Sequence, residues 1–265
     1  MTSTNSSSKF ISVLKNNFRR YAALFAVFQV FNIAASFFNI FYNFSYYNDD
    51  NIMRNVTKEF SSEALPFCAA ILGFEAFILA ASVFRGIYSK RASDYHFSLP
   101  VKRSIWFHAN FLFGVISFAV SYAVFYIISV IAIKYNTIGD FRFITLQAGV
   151  FLKYVLMSFI SVVVIYAVFV LCAVVAGRVW QYIFLSFISS VVFYVGILGF
   201  IWYLNTIYGV WINLSQAHTL SALDLLFTDV TNTPILKYLI SAAVQLAVFY
   251  AAGYFSFKKR KAEVA

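Results

Sequence analysis

Glu75 is the residue whose placement in this sequence demands a chemical explanation. It sits near the middle of an apolar run, ILGFEAFIL, with no Lys or Arg within a helical turn. On insertion scales a charged side chain at the centre of a bilayer costs about 2.5–3.5 kcal/mol. A residue so placed must face other helices, find a polar partner or carry a proton. Gln29, Asn32 and Asn39, on the preceding apolar run, are the candidate partners. Two readings stay open. One is functional: a gate, a substrate contact or a proton-sensitive element. The other is a structural hydrogen bond between helices.

Other chemistries are poorly served. His96, His108 and His218 are scattered over different loops and span ends, so no metal site is expected. Cys68 and Cys172 both lie inside apolar runs and read as small buried hydrophobes, not as a disulfide or metal pair. The phosphate-cradling GxxxxGK(S/T) loop is absent, as are HExxH, CxxC and GxSxG. The chain is therefore not expected to bind ATP in the usual way, nor to act as an enzyme, and no cofactor is expected on it. Its net charge of +10 does not mark a nucleic-acid binder, because the basic residues gather at the ends of hydrophobic runs instead of forming one groove.

The elements that must position Glu75 follow from composition. Hydrophobic residues make up 62% of the 265-residue chain and charged ones 11%, against about 45–50% and about 25% in soluble domains. So little charge cannot clothe a water-facing surface, and the apolar faces belong in lipid. An apolar helix needs about 20 residues to cross the hydrocarbon core. Six stretches qualify: 21–41, 64–88, 104–133, 151–176, 180–204 and 235–257. The fold expected is an all-α membrane protein of six transmembrane helices. The third stretch exceeds a straight crossing, so its start runs along the interface or the helix tilts. The first is too long for a cleaved signal peptide and lacks a small-residue cleavage site.

Orientation follows from Lys and Arg. With the N-terminus inside, fourteen of them fall on the inner side and six on the outer, so both termini are expected to be cytoplasmic. Residues 9–20, KFISVLKNNFRR, combine helical apolar spacing with basic residues, the pattern of a short amphipathic helix on the inner leaflet. Residues 1–8 are polar and read as a disordered tail, leaving 9–265 as one permease-like membrane domain. Between the fifth and sixth stretches, residues 205–233 carry two apolar patches too short to cross, read as short outer helices.

The longest inner connection, residues 89–103, mixes charge, aromatics and a proline in SKRASDYHFSLPVKR. Pro100 suits the first turn of the third helix, with Ser98 placed to cap it. Within it, SDYHFSLPVKR resembles a segment of type-2 ATP-binding-cassette permeases of Gram-positive bacteria, in which an Asp–aromatic/His run leads into Leu–Pro and an Arg. LKNNFRRY, residues 14–21, is similar to the basic element before the first span of those permeases, and the layout of spans is similar too.

The resemblance implies a membrane-spanning exporter subunit whose first inner loop forms a coupling helix docking on a separate ATPase subunit. By position, Asp94, Tyr95, His96, Phe97, Ser98, Leu99, Pro100 and Arg103 would make that contact. It also implies a second permease copy or paralogue, with ATP and Mg held by the partner ATPase, and a multi-pass place in a bacterial plasma membrane among its lipids. The substrate class it suggests is an antimicrobial peptide, a drug or a lipid-like molecule. The large outer domain of some relatives is missing. The competing reading is a non-transporting polytopic protein, such as a sensor or an immunity partner; a membrane-embedded enzyme comes third, for want of clustered acid–base or metal residues.

Overall fold

The computed structural model describes residues 6–46, 56–88, 101–135, 148–208 and 234–259, and the regular elements among them are all helical. They are α1 (Ser6–Arg20), α2 (Ala22–Tyr46), α3 (Val56–Val83), α4 (Arg103–Tyr135), α5 (Ala148–Val175), α6 (Val179–Tyr208) and α7 (Ile235–Lys259), with a 3₁₀ turn at Arg85–Ile87 after α3. Each of the six apolar stretches overlaps one long helix, the second running five residues past its end. Among the described residues four helical segments are long and apolar enough to cross a membrane: Ala64–Val83, Arg103–Ile131, Gly149–Val175 and Ile235–Lys259. The fold is that of a helical, membrane-embedded bundle.

α5 occupies its centre, packing most extensively on α3 and α7 and also meeting α4 and α6. Residues 161–170 of α5 are buried without interruption. A helix apolar on every side is stable only when surrounded by protein or lipid, and here protein surrounds it. Hydrogen bonds from small polar side chains join it to its neighbours. The Tyr122 hydroxyl of α4 pairs with Ser158 at 2.7 Å. Tyr238 of α7 donates to the Met157 carbonyl at 2.7 Å and pairs with the Ser161 hydroxyl. At Gly114 of α4 the missing side chain admits the Tyr166 ring, whose hydroxyl reaches the Asn110 carbonyl at 3.4 Å.

The N-terminal segment corrects two expectations. The helix starts at Ser6, ahead of residue 9, because the run of serines there suits a helix start. α1 also does not lie on lipid alone. It bends from α2 by 64° at Tyr21 and packs one side on α4. Asn17 donates to Asn110 Oδ1 at 2.6 Å, and the Phe18 ring meets Phe113 edge-on at 4.9 Å. Ile11 remains exposed on the other side, with Lys15, Arg19 and Arg20.

Two boundaries differ as well. The second stretch leaves α-helical geometry at Val83, five residues early, where Phe84, Gly86 and Ile87 are buried in a 3₁₀ turn. The third helix starts at Arg103, with the Lys102 carbonyl accepting from the Trp106 amide at 3.2 Å; Ser98 and Pro100 lie outside the described residues. The turn between α5 and α6 is tight: the Gln181 side-chain oxygen accepts from the Gly177 and Arg178 amides at 2.8 and 3.1 Å. The segment 209–233, with the expected outer helices, lies outside the described residues, as do residues 1–5.

Candidate functional site

Glu75 lies about eight residues, hence about 12 Å, from the end of α3. Its side chain is turned into the bundle and is 3% exposed. Facing it, α2 presents Gln29, Asn32 and Ser36, spaced three and four residues apart and therefore on one side of the helix. Asn32 donates to Glu75 Oε2 at 3.1 Å. The Ser36 hydroxyl donates back to the Asn32 carbonyl at 2.6 Å.

The third wall is α4. Ser121 Oγ accepts from Gln29 Nε2 at 2.9 Å and is within 3.1 Å of Asn32 Nδ2, while its own proton points to the Ser117 carbonyl at 3.2 Å. One hydroxyl thus ties both amides of α2 to α4, and Asn32 carries the connection on to α3. Two acceptors are left over. Glu75 Oε1 and Gln29 Oε1 are buried and have no hydrogen-bond partner. Among the described residues no Lys or Arg reaches Glu75. A small cleft between the helices is lined by Asn32, Ala35, Ser36, Phe67, Cys68, Ile71 and Phe125.

Of the expected partners of Glu75, the structure brings Asn32 into contact and links Gln29 to Asn32 through the Ser121 hydroxyl. The side chain of Asn39 lies outside the described residues. Ser121 is the member that reading the sequence missed. A serine on an apolar helix gives no sign of which side it faces; only its four-residue spacing from Ser117 offered a hint. No cluster of His, Cys, Asp or Glu among the described residues can hold a metal ion. His108 pairs with the Tyr250 hydroxyl at 2.5 Å and stacks on Tyr254, about 20 Å along α4 from Ser121. The site offers a buried carboxylate with open lone pairs and no nucleophile–base pair. It can hold a proton or a positively charged donor.

At one end of the bundle the helix ends converge on aromatic rings. Trp106, at the start of α4, stacks on Phe257 of α7 at 5.2 Å, and Phe84, just past α3, meets Trp106 edge-on at 5.6 Å. The Tyr21 hydroxyl donates to the Ser82 carbonyl at 2.9 Å, drawing the α1–α2 bend to the same end. Tyr88 lies 6.3 Å from Tyr182 of α6, and Tyr182 donates to the Phe77 carbonyl at 2.6 Å. Arg19, Arg20, Arg85, Lys102, Arg103, Arg178, Lys258 and Lys259 all sit near this end. Arg103 donates to the Lys258 carbonyl at 3.5 Å. The other expected contact residues, Asp94, Tyr95, His96, Phe97, Ser98, Leu99 and Pro100, lie outside the described residues, but both flanks of their loop stand on this aromatic floor.

No protein-family model matches the chain, and no curated protein matches it.

Proposed function

We propose that the chain is the membrane-spanning permease subunit of an ATP-driven exporter, crossing the plasma membrane six times with both described ends of the chain in the cytoplasm. The carrying observation is mechanical. The flanks of the 89–100 connection rest on rings from α3, α4 and α7 together, through Phe84, Trp106 and Phe257. A push on that connection is delivered to three helices at once, one of them bearing Glu75. A partner ATPase holding ATP and Mg supplies the push, and this chain breaks no bond. The basic residues at the same end support a cytoplasmic placement. Because α5 fills the centre of the bundle, the translocation route runs beside this chain, against a second copy or paralogue.

Co-purification tests the reading. The wild-type chain, expressed with a candidate ATP-binding-cassette ATPase, is expected to recover that ATPase, and the Leu99→Asp, Pro100→Ala double variant is expected to lose it. Equal recovery by both forms overturns the coupling role.

A further inference from the structure

We propose that the elbow between α1 and α2 is a binding site for the headgroup of an anionic phospholipid, whose phosphate is held by Arg20 and Arg85 beside Tyr21. The inference needs the membrane-embedded fold and does not rest on the permease role.

Three observations converge. The first is where α1 uses its apolar side. Leu14 and Phe18 pack on the bundle core and Asn17 bonds Asn110, so that side is not free to sink into lipid. The exposed side carries Lys15, Arg19 and Arg20, with Ile11 as its one large apolar residue. An amphipathic helix ordinarily holds a bilayer by insertion as well as by charge; here charge is what remains. The second is a firm setting for two guanidinium groups. Helical hydrogen bonds run through the bend: the Tyr21 amide donates to the Asn17 carbonyl at 2.9 Å and the Phe25 amide to the Tyr21 carbonyl at 2.8 Å. The Tyr21 hydroxyl is pinned on the Ser82 carbonyl at 2.9 Å, and Cζ of Arg20 lies 5.5 Å from the Tyr21 ring centroid. Three residues past Ser82, the 3₁₀ turn buries Phe84, Gly86 and Ile87 and leaves Arg85 exposed. The charges of Arg20 and Arg85, far apart in sequence, both act on the Tyr21 phenol. The third is the apolar strip that starts at the elbow. Ala23 and Val27, three and seven residues on from Arg20, are exposed, and Val30 and Phe31 continue the strip along α2. A lipid with its phosphate on the arginines lays an acyl chain along it.

The chemistry favours this ligand over its rivals. A guanidinium group matches phosphate oxygens through paired, charge-assisted hydrogen bonds. Among the described side chains the one carboxylate is Glu75, ten residues and about 15 Å back from Arg85, so no described acid competes for the arginines. A zwitterionic lipid fits less well, because Lys15 and Arg19 stand next to the site and repel its ammonium group. A water-soluble phosphate gains nothing from the apolar strip.

The test uses the purified full chain in neutral-detergent micelles, with thermal unfolding as the readout. Short-chain phosphatidylglycerol, short-chain phosphatidylcholine and glycerol 3-phosphate are titrated separately. Phosphatidylglycerol is expected to raise the unfolding temperature saturably, and the other two to leave it unchanged. No shift with phosphatidylglycerol, or an equal shift with either of the others, overturns the proposal. Arg20→Gln and Arg85→Gln are each expected to weaken the apparent affinity for phosphatidylglycerol about fivefold, the share of one basic residue near an anionic surface. Arg178→Gln, which removes the same charge at the α5–α6 turn, is expected to leave that affinity unchanged. Equal losses in all three variants mean diffuse attraction without a site and overturn the proposal, as does full affinity in Arg20→Gln and Arg85→Gln. Both side chains are exposed, so these variants are expected to fold. Should either fail, the wild-type chain decides: its affinity is expected to fall as NaCl is raised from about 0.1 to about 0.5 M, and an unchanged affinity overturns the proposal.

Discussion

A β-carbon placed on Gly114 would lie 2.3 Å from Cζ of Tyr166. The ring cannot retreat easily: it is fully buried, with Phe111 and Phe118 each 5.3 Å away. Gly114→Ala is therefore expected to destabilise the bundle by about 1–3 kcal/mol, the usual range for overpacking. Gly199→Ala serves as the contrast, since nothing stands within 4 Å of a β-carbon there and alanine favours the helix. Thermal unfolding in micelles of the two variants should separate them in sign.

Ser121 and Ser129 offer a second contrast on one helix. Both are buried. Ser121 accepts from two amides, whereas the Ser129 hydroxyl has no partner. Ser121→Ala strands donors on Gln29 and Asn32 and is expected to cost about 1–3 kcal/mol. Ser129→Ala removes an unmet hydroxyl and is expected to be neutral or mildly stabilising. Equal losses in unfolding temperature would contradict this assignment of partners.

The Asn17–Asn110 contact holds the N-terminal helix to the bundle across 93 positions of sequence. Interhelical polar contacts of this kind are worth about 0.6 kcal/mol on average and about 1.7 at most. A double-mutant cycle of Asn17→Ala and Asn110→Ala should return a coupling in that range. A coupling of zero would mean that the ring contacts of Phe18 alone dock α1.

Single cysteines introduced on a Cys68→Ala, Cys172→Ala background report which side of the membrane each helix end occupies. Arg178→Cys and Lys259→Cys are expected to react with an impermeant maleimide only after the cells are opened. Lys237→Cys is expected to react on intact cells. Labelling of Lys259→Cys on intact cells would invert the chain and remove the docking face for an ATPase.

The helices were legible because crossing a bilayer imposes a length on every apolar run: each of the six runs overlaps one helix, and among the described residues four helical segments are long and apolar enough to cross. The association of Asn32 with Glu75 was legible for a related reason: a carboxylate deep in an apolar helix must find a polar partner on a neighbour. Which of the three candidates it chose depended on helix rotation, and apolar periodicity is weak when lipid and protein are equally oily. Ser121 was hidden for that reason. The docking of α1 on α4 was hidden because an amphipathic basic helix looks the same from its sequence whether its apolar side meets lipid or another helix. The early end of α3 depended on Phe84 and Ile87 packing into the bundle, a tertiary cause with no local marker.

The central position of α5 carries a consequence for how the protein is made. As it leaves the translocon, α5 is oily enough to rest in lipid by itself, yet a large share of its final surroundings belongs to α7, the last of the described helices to be synthesised. Until α7 arrives, the Ser161 and Met157 groups that receive Tyr238 face hydrocarbon without that partner. A nascent chain halted before residue 235 thus presents an unfinished polar seam to the membrane, a feature that quality-control proteases can recognise and that a completed chain conceals.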